Sequence, residues 1–137
     1  MRFDVSNILG VIGAGIGGFF VFLFGGWDIL LMVLVCLSVV DFLSGVLAAF
    51  YEGRLDSKAG YKGIIKKVGI YCVVALACLV EKVTGTDLLR SAVIGFYIAM
   101  EGLSILENGG RCGLQYPKVL GEKLEQLKGK EEVKQND

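Results

Sequence analysis

Two carboxylates, Asp41 and Glu101, stand inside long apolar runs, and Gly13, Gly15 and Gly18 fit the spacing G-x-G-x-x-G within VIGAGIGGFF (Val11–Phe20). An intramembrane or buried acid can relay protons or hold a cation, and that glycine spacing can cradle the pyrophosphate of a dinucleotide. Other chemistry is sparse. The chain has no histidine, which removes the commonest general base and the commonest metal ligand. Cys36, Cys72, Cys78 and Cys112 lack C-x-x-C spacing, and three of them lie in apolar runs, so they read as small hydrophobes rather than a disulfide or metal framework. With no nucleophile beside a base, the sequence predicts no catalytic residue, no metal and no cofactor.

The glycines do not fit a dinucleotide site. Such a site needs a strand before the glycines, an amphipathic helix after them and an acid about 20 residues on. Here FFVFLFGGW follows Gly18, apolar on every side, and Asp28 comes too early. Gly10, Ala14 and Gly18 instead recur every four residues, with Gly13 and Gly17 repeating that interval alongside. Small residues at this spacing let helix backbones approach closely in lipid, so VIGAGIGG reads as a helix-packing face.

The elements that carry these residues are membrane spans. Of 137 residues 54% are apolar, Val5–Trp27 holds no charge, and Ile29–Tyr51 holds only Asp41. About 20 apolar residues cross the hydrocarbon core of a bilayer. Arg2 precedes the first run, but Asp4 follows it and no A-x-A site closes it, so an uncleaved first helix is expected rather than a signal peptide. Four spans are predicted, near residues 5–24, 29–51, 64–81 and 91–106. They form a transmembrane domain over 1–112, and Gly25–Asp28 make a tight turn between the first two. The third is the shortest, because Val68–Val80 is its only uncharged part and Lys66, Lys67 and Lys82 must snorkel.

Lysine and arginine set the orientation. With both termini in the cytoplasm, twelve of the fourteen fall inside: Arg2, the basic loop Arg54, Lys58, Lys62, Lys66 and Lys67, and six in the C-terminal segment; only Lys82 and Arg90 fall outside. A three-span arrangement ranks second, because it would put either the basic loop or the basic tail outside. The zero net charge points to no nucleic-acid partner. Residues 113–137 are more polar. Pro117 suits a helix start, and Val119, Leu120, Leu124 and Leu127 fall near one face, predicting an amphipathic helix on the cytoplasmic surface that ends in a disordered KGKEEVKQND.

Asp41 lies at the centre of the second span, where a carboxylate costs about 2.5–3.5 kcal/mol, and 14 Leu, Ile, Val and Phe residues return roughly 6 kcal/mol. The fourth span has seven such residues, worth about 3 kcal/mol, which barely matches Glu101. It therefore needs packing partners. Ser38, Asp41, Gly45, Ala48 and Glu52 form one polar, small-residue stripe at helical spacing, and Tyr97, Glu101, Ser104 and Asn108 form another. Such stripes face either each other within a protomer or a wettable interface between copies, never lipid. A symmetric homo-oligomer completes four short helices with a self-associating face.

DFLSGVLAA (Asp41–Ala49), SKAGYKGIIKK (Ser57–Lys67), FYIAMEGLSILEN (Phe96–Asn108) and GLQYPKVLGEKLEQLK (Gly113–Lys128) resemble, in order and spacing, the toxin-secretion/phage-lysis holins of Gram-positive phages and clostridia. The resemblance covers most of Asp41–Lys128. Met100 and CLVEK (Cys78–Lys82) depart from the residues frequent there. It implies an all-α integral membrane protein that oligomerises in the cytoplasmic membrane of a bacterial host. There it opens lesions through which an endolysin, or in clostridia a large toxin, passes. The partners implied are the lipid bilayer, further copies of the chain, and an endolysin without stable binding. A small oligomeric transporter or ion channel, or an antiholin-type regulator, is the alternative.

Overall fold

In the computed structural model the backbone of residues 4–136 is described, with side chains as far as residue 129. The described residues form five helices and no strand: α1 (Val5–Phe24), α2 (Ile29–Tyr51), α3 (Ser57–Thr84), α4 (Leu89–Arg111) and α5 (Lys118–Asn136). The first four are each long and apolar enough to cross a membrane. α1 and α2 carry the predicted bounds, and the glycines of VIGAGIGG sit in an uninterrupted helix.

Short turns force α1 to α4 into an up-and-down bundle. Gly25 ends α1 at φ +78°, and a Cβ there would come within 2.9 Å of the Arg90 side chain, so both the backbone and the close approach require glycine. Asp28 caps α2, its side chain accepting from Leu31 N at 3.0 Å. Asp56 caps α3, accepting from Lys58 N at 2.9 Å.

That cap corrects the third span. α3 begins at Ser57, not residue 64, so Lys58, Lys62, Lys66 and Lys67 are helical and only Arg54 of the basic set lies in the connecting turn. SKAGYKG reads as loop by its polarity, yet a capping Asp and lysines four apart continue a helix whose inner end is wet. α4 likewise exceeds the predicted 91–106, running through NGG to Arg111.

The core holds Leu31 and Leu34 of α2, Ile70 and Val74 of α3, and Ile94 of α4. α4 is central, packing on α2, α3 and α5. It is the least apolar of the four spans and the most buried, as its weak insertion energy demands. α1 lies at the periphery against α3, with no buried residue. A Cβ added at Gly10, Gly13, Gly17 or Gly18 would meet nothing within 4 Å, so within one chain this face is unpartnered.

The C-terminal segment departs from expectation twice. Helix α5 continues through KGKEEVKQN to Asn136, and Lys, Glu and Gln are good helix formers despite their polarity; Asp137 lies outside the described residues. And α5 does not stand apart from the bundle: it folds back antiparallel along α4, with Leu124 against Gly102 and Gly121 against Leu106.

Candidate functional site

The two polar stripes meet inside one chain. Asp41 and Glu101 each lie ten residues from the C-terminal ends of α2 and α4, Tyr51 and Arg111, and Lys67 lies ten residues from Ser57 at the start of α3. At about 1.5 Å per residue all three sit some 15 Å from those helix ends, about half the thickness of a hydrocarbon core of about 30 Å. There the Lys67 ammonium donates to both carboxylates. The Glu101 side chain is 3% exposed and that of Asp41 13%.

The remaining stripe residues hold this ion cluster. Asn108, itself buried, donates to Asp41 Oδ1 at 3.2 Å, to the Asp41 carbonyl at 3.3 Å and to Ser44 Oγ at 2.9 Å. Gly45 lets Asn108 approach, since a Cβ there would sit 3.5 Å from its amide nitrogen. Ser38 is buried and accepts from Tyr71 OH at 3.0 Å, while Ala48 is fully buried. Tyr97 packs on the apolar core. At the C-terminal ends of α2 and α4 Glu52 takes a paired contact from Arg111, Nη2 at 2.8 Å and Nε at 3.2 Å, which holds the Glu52 carboxyl below its ordinary pKa. Two burials are thus served by one geometry: the apolar edges of α2 and α4 close the core, and their polar edges close on Lys67.

A cavity of about 300 Å³ runs from Asp56 and Arg111 at the inner ends to Asp41 and Lys67, with Gly60, Gly63 and Ser104 on its walls. A second, of about 250 Å³, lies between α3, α4 and α5 and is lined by Lys66, Tyr97, Glu101, Ser104, Glu107 and Lys128. Glu101 therefore sits between α2 and α3 on one side and a mixed polar and apolar space beside α5 on another.

At the opposite end Arg90 fastens the α1–α2 turn. Its guanidinium donates to Asp28 Oδ2 at 2.6 Å and Oδ1 at 3.1 Å, and also to the carbonyls of Phe24 and Gly26. Its backbone N–H bonds Glu81 at 2.8 Å. The Arg90 hydrogen bonds depress the Asp28 pKa, more than burial raises it.

Sequence reasoning assigned Lys67 to a cytoplasmic loop and Arg90 to an outer one; both are structural cations inside the bundle. Once the start of α3 at Ser57 is known, counting ten residues from that start and from the ends of α2 and α4 brings Lys67 level with both acids, and Arg90 and Asp28 both stand at helix starts. Among the described residues no group of three or more His, Cys, Asp or Glu could hold a metal, and all four cysteines are free thiols.

Residues 18–129, which contain the whole ion cluster and most of the α4–α5 hairpin, match the profile of the bacteriophage holin family. The chain belongs to that family. A probable holin of Bacillus phage phi105 is 34% identical over 104 residues, 75% of this chain and 76% of that protein. An uncharacterised Listeria monocytogenes protein is 50% identical over 107 residues, 77% of this chain and 76% of its own length. A 14.9 kDa protein of Clostridium perfringens is 37% identical over 131 residues, 92% of this chain and 99% of the other. No solved structure matches. α1 enters the family match only at Gly18, so most of the glycine face lies outside it.

Proposed function

We propose that this holin-family chain accumulates in the cytoplasmic membrane of a bacterial host, assembles with copies of itself and opens lesions through which a cytoplasmic endolysin reaches the cell wall. The observation that carries the reading is the Lys67–Asp41–Glu101 cluster, which joins three helices long and apolar enough to cross a membrane in a chain of this family. Hydrocarbon tolerates such a group only if it is shielded by protein or bathed in water. In the closed protomer α2, α3 and α4 shield it. Water entering from the adjoining cavity can solvate the same polar groups, so assembly can switch the cluster between a protein-shielded and a wetted state.

Orientation follows the basic residues: the N-terminus, the α2–α3 turn and the α4–α5 turn face the cytoplasm. The open glycine face of α1 is the proposed contact between copies, where Gly10, Gly13, Ala14, Gly17 and Gly18 allow close helix approach. The test is induction in a bacterium with and without a cytoplasmic endolysin. Rapid clearing of the culture only when both proteins are present supports the reading; endolysin retained inside intact cells at full expression refutes it.

A further inference from the structure

The outer face of α5 is chemically wrong for lipid at the depth where it lies. Gly102 and Leu124 meet so closely that a Cβ on Gly102 would stand 2.8 Å from the Leu124 side chain, and Gly121 packs against Leu106. This antiparallel register sets Glu122, Lys123 and Glu125 level with α4 residues near Glu101, midway through the span. All three, with Lys118 and Gln126, are exposed. By helical periodicity Glu122, Lys123 and Gln126 stand on the side away from Gly121 and Leu124. Charged side chains at the bilayer centre face protein or water.

The rest of the bundle is arranged accordingly. α1, α2 and α3 present large exposed apolar residues such as Ile16, Val39, Leu47 and Leu76, which suit lipid. α4 is covered by α2, α3 and α5. The space between α3, α4 and α5 brings Lys66, Glu101, Glu107 and Lys128 together beside the apolar Ile70 and Leu103. α5 differs from α1, α2 and α3 in presenting Glu122, Lys123 and Gln126 on its outward face, with the exposed apolar Val119 and Leu120 near its start.

We propose, resting on the holin reading, that α5 is the water-lining helix of the assembled lesion, docked on α4 with Glu122, Lys123 and Gln126 toward the lumen. The hairpin forms within one chain, but lipid disfavours it in a solitary membrane-embedded copy, where α5 would swing to the cytoplasmic side. Docking becomes favourable when neighbouring copies enclose water beside α4, which couples the move of α5 to membrane density and makes opening steeply concentration-dependent. Balanced charge on the face lets identical α5 helices stand side by side around the lumen without net repulsion.

The experiment uses the full chain with its four cysteines replaced, reconstituted in phospholipid vesicles loaded with a small dye, and two cysteine pairs across the hairpin. Gly102→Cys with Leu124→Cys removes the side chain that crowds position 102; Leu106→Cys with Gly121→Cys is an independent pair. Copper phenanthroline should produce an intrachain disulfide in both, and the locked protein should leak dye within twofold of its reduced form. An impermeant bulky thiol reagent on Gln126→Cys should reduce leakage at least fivefold. Leakage by the cysteine-free parent without crosslinking of either pair would overturn the α5 assignment alone. So would a lock that stops leakage and is reversed by reductant, since α5 would then be a latch. A parent that opens no lesion would overturn the holin reading and this assignment with it.

Discussion

The ammonium of Lys67 on α3 bonds the carboxylate of Glu101 on α4, 34 residues further along the chain, and takes Asp41 of α2 at the same time. Three helices are tied at one depth by one cation. Removing the cation leaves two carboxylates together in a low-dielectric site, and breaking a buried pair from one side costs about 3–5 kcal/mol. Lys67→Met should destabilise the closed bundle by about that much and move lysis onset. Lys67→Met combined with Asp41→Asn and Glu101→Gln should recover most of the loss. Thermal unfolding in detergent checks both; additive losses would show that the three do not act as a unit.

Neutralising one acid at a time is milder, because Lys67 keeps the other. Asp41→Asn and Glu101→Gln should each change the timing of lysis at matched expression, with Glu101→Gln the larger effect because Glu101 is the more buried. Unchanged onset for both variants removes the cluster from the opening step.

Asn108 is the next support. Asn108→Ala deletes the donor shared by Asp41 and Ser44 and leaves Asp41 under-bonded, which should cost about 1–3 kcal/mol. Asn108→Asp should cost more, since it adds a like charge beside Asp41. Detergent melting curves rank the two.

The outer clasp should respond to acid. Asp28 has a depressed pKa when folded, so its bonds to Arg90 contribute stability fully above the ordinary carboxylate range, near pH 4, and lose it as pH falls through the lower folded value. Unfolding temperature should therefore drop on acidification below about pH 4. Asp28→Asn should be less stable at neutral pH and lack this component of the drop. An unchanged acid response in Asp28→Asn assigns the titration elsewhere.

Two kinds of glycine should separate cleanly. Gly25→Ala strains a positive-φ position and pushes on Arg90, costing about 1–3 kcal/mol of bundle stability. Gly13→Leu and Gly17→Leu meet open space within the chain and should leave monomer stability nearly unchanged while weakening crosslinked oligomers. Undiminished oligomers would reject α1 as the contact between copies.

Much of this was legible in the sequence. Uncharged length gives α1 and α2, and helical spacing gathers Ser38, Asp41 and Gly45 into one stripe and Glu101, Ser104 and Asn108 into another, because both signals are local. Which stripe faces which is a matter of packing. Lys67 was hidden because a lysine near a basic loop looks solvated until the helix start at Ser57 is known. Arg90 was hidden because its acceptors, Asp28 and two backbone carbonyls, lie more than 60 residues away. The return of α5 along α4 was hidden most deeply: its polarity marks it as aqueous, and only the fit of Leu124 to Gly102 reveals where it docks.

The central claim is that this chain alone opens a membrane to folded protein. Purified protein reconstituted in vesicles holding both a small dye and a folded enzyme tests it most directly. Release of both together, rising steeply above a threshold protein density, is the predicted result. Release of the dye with the enzyme retained at every density would contradict it.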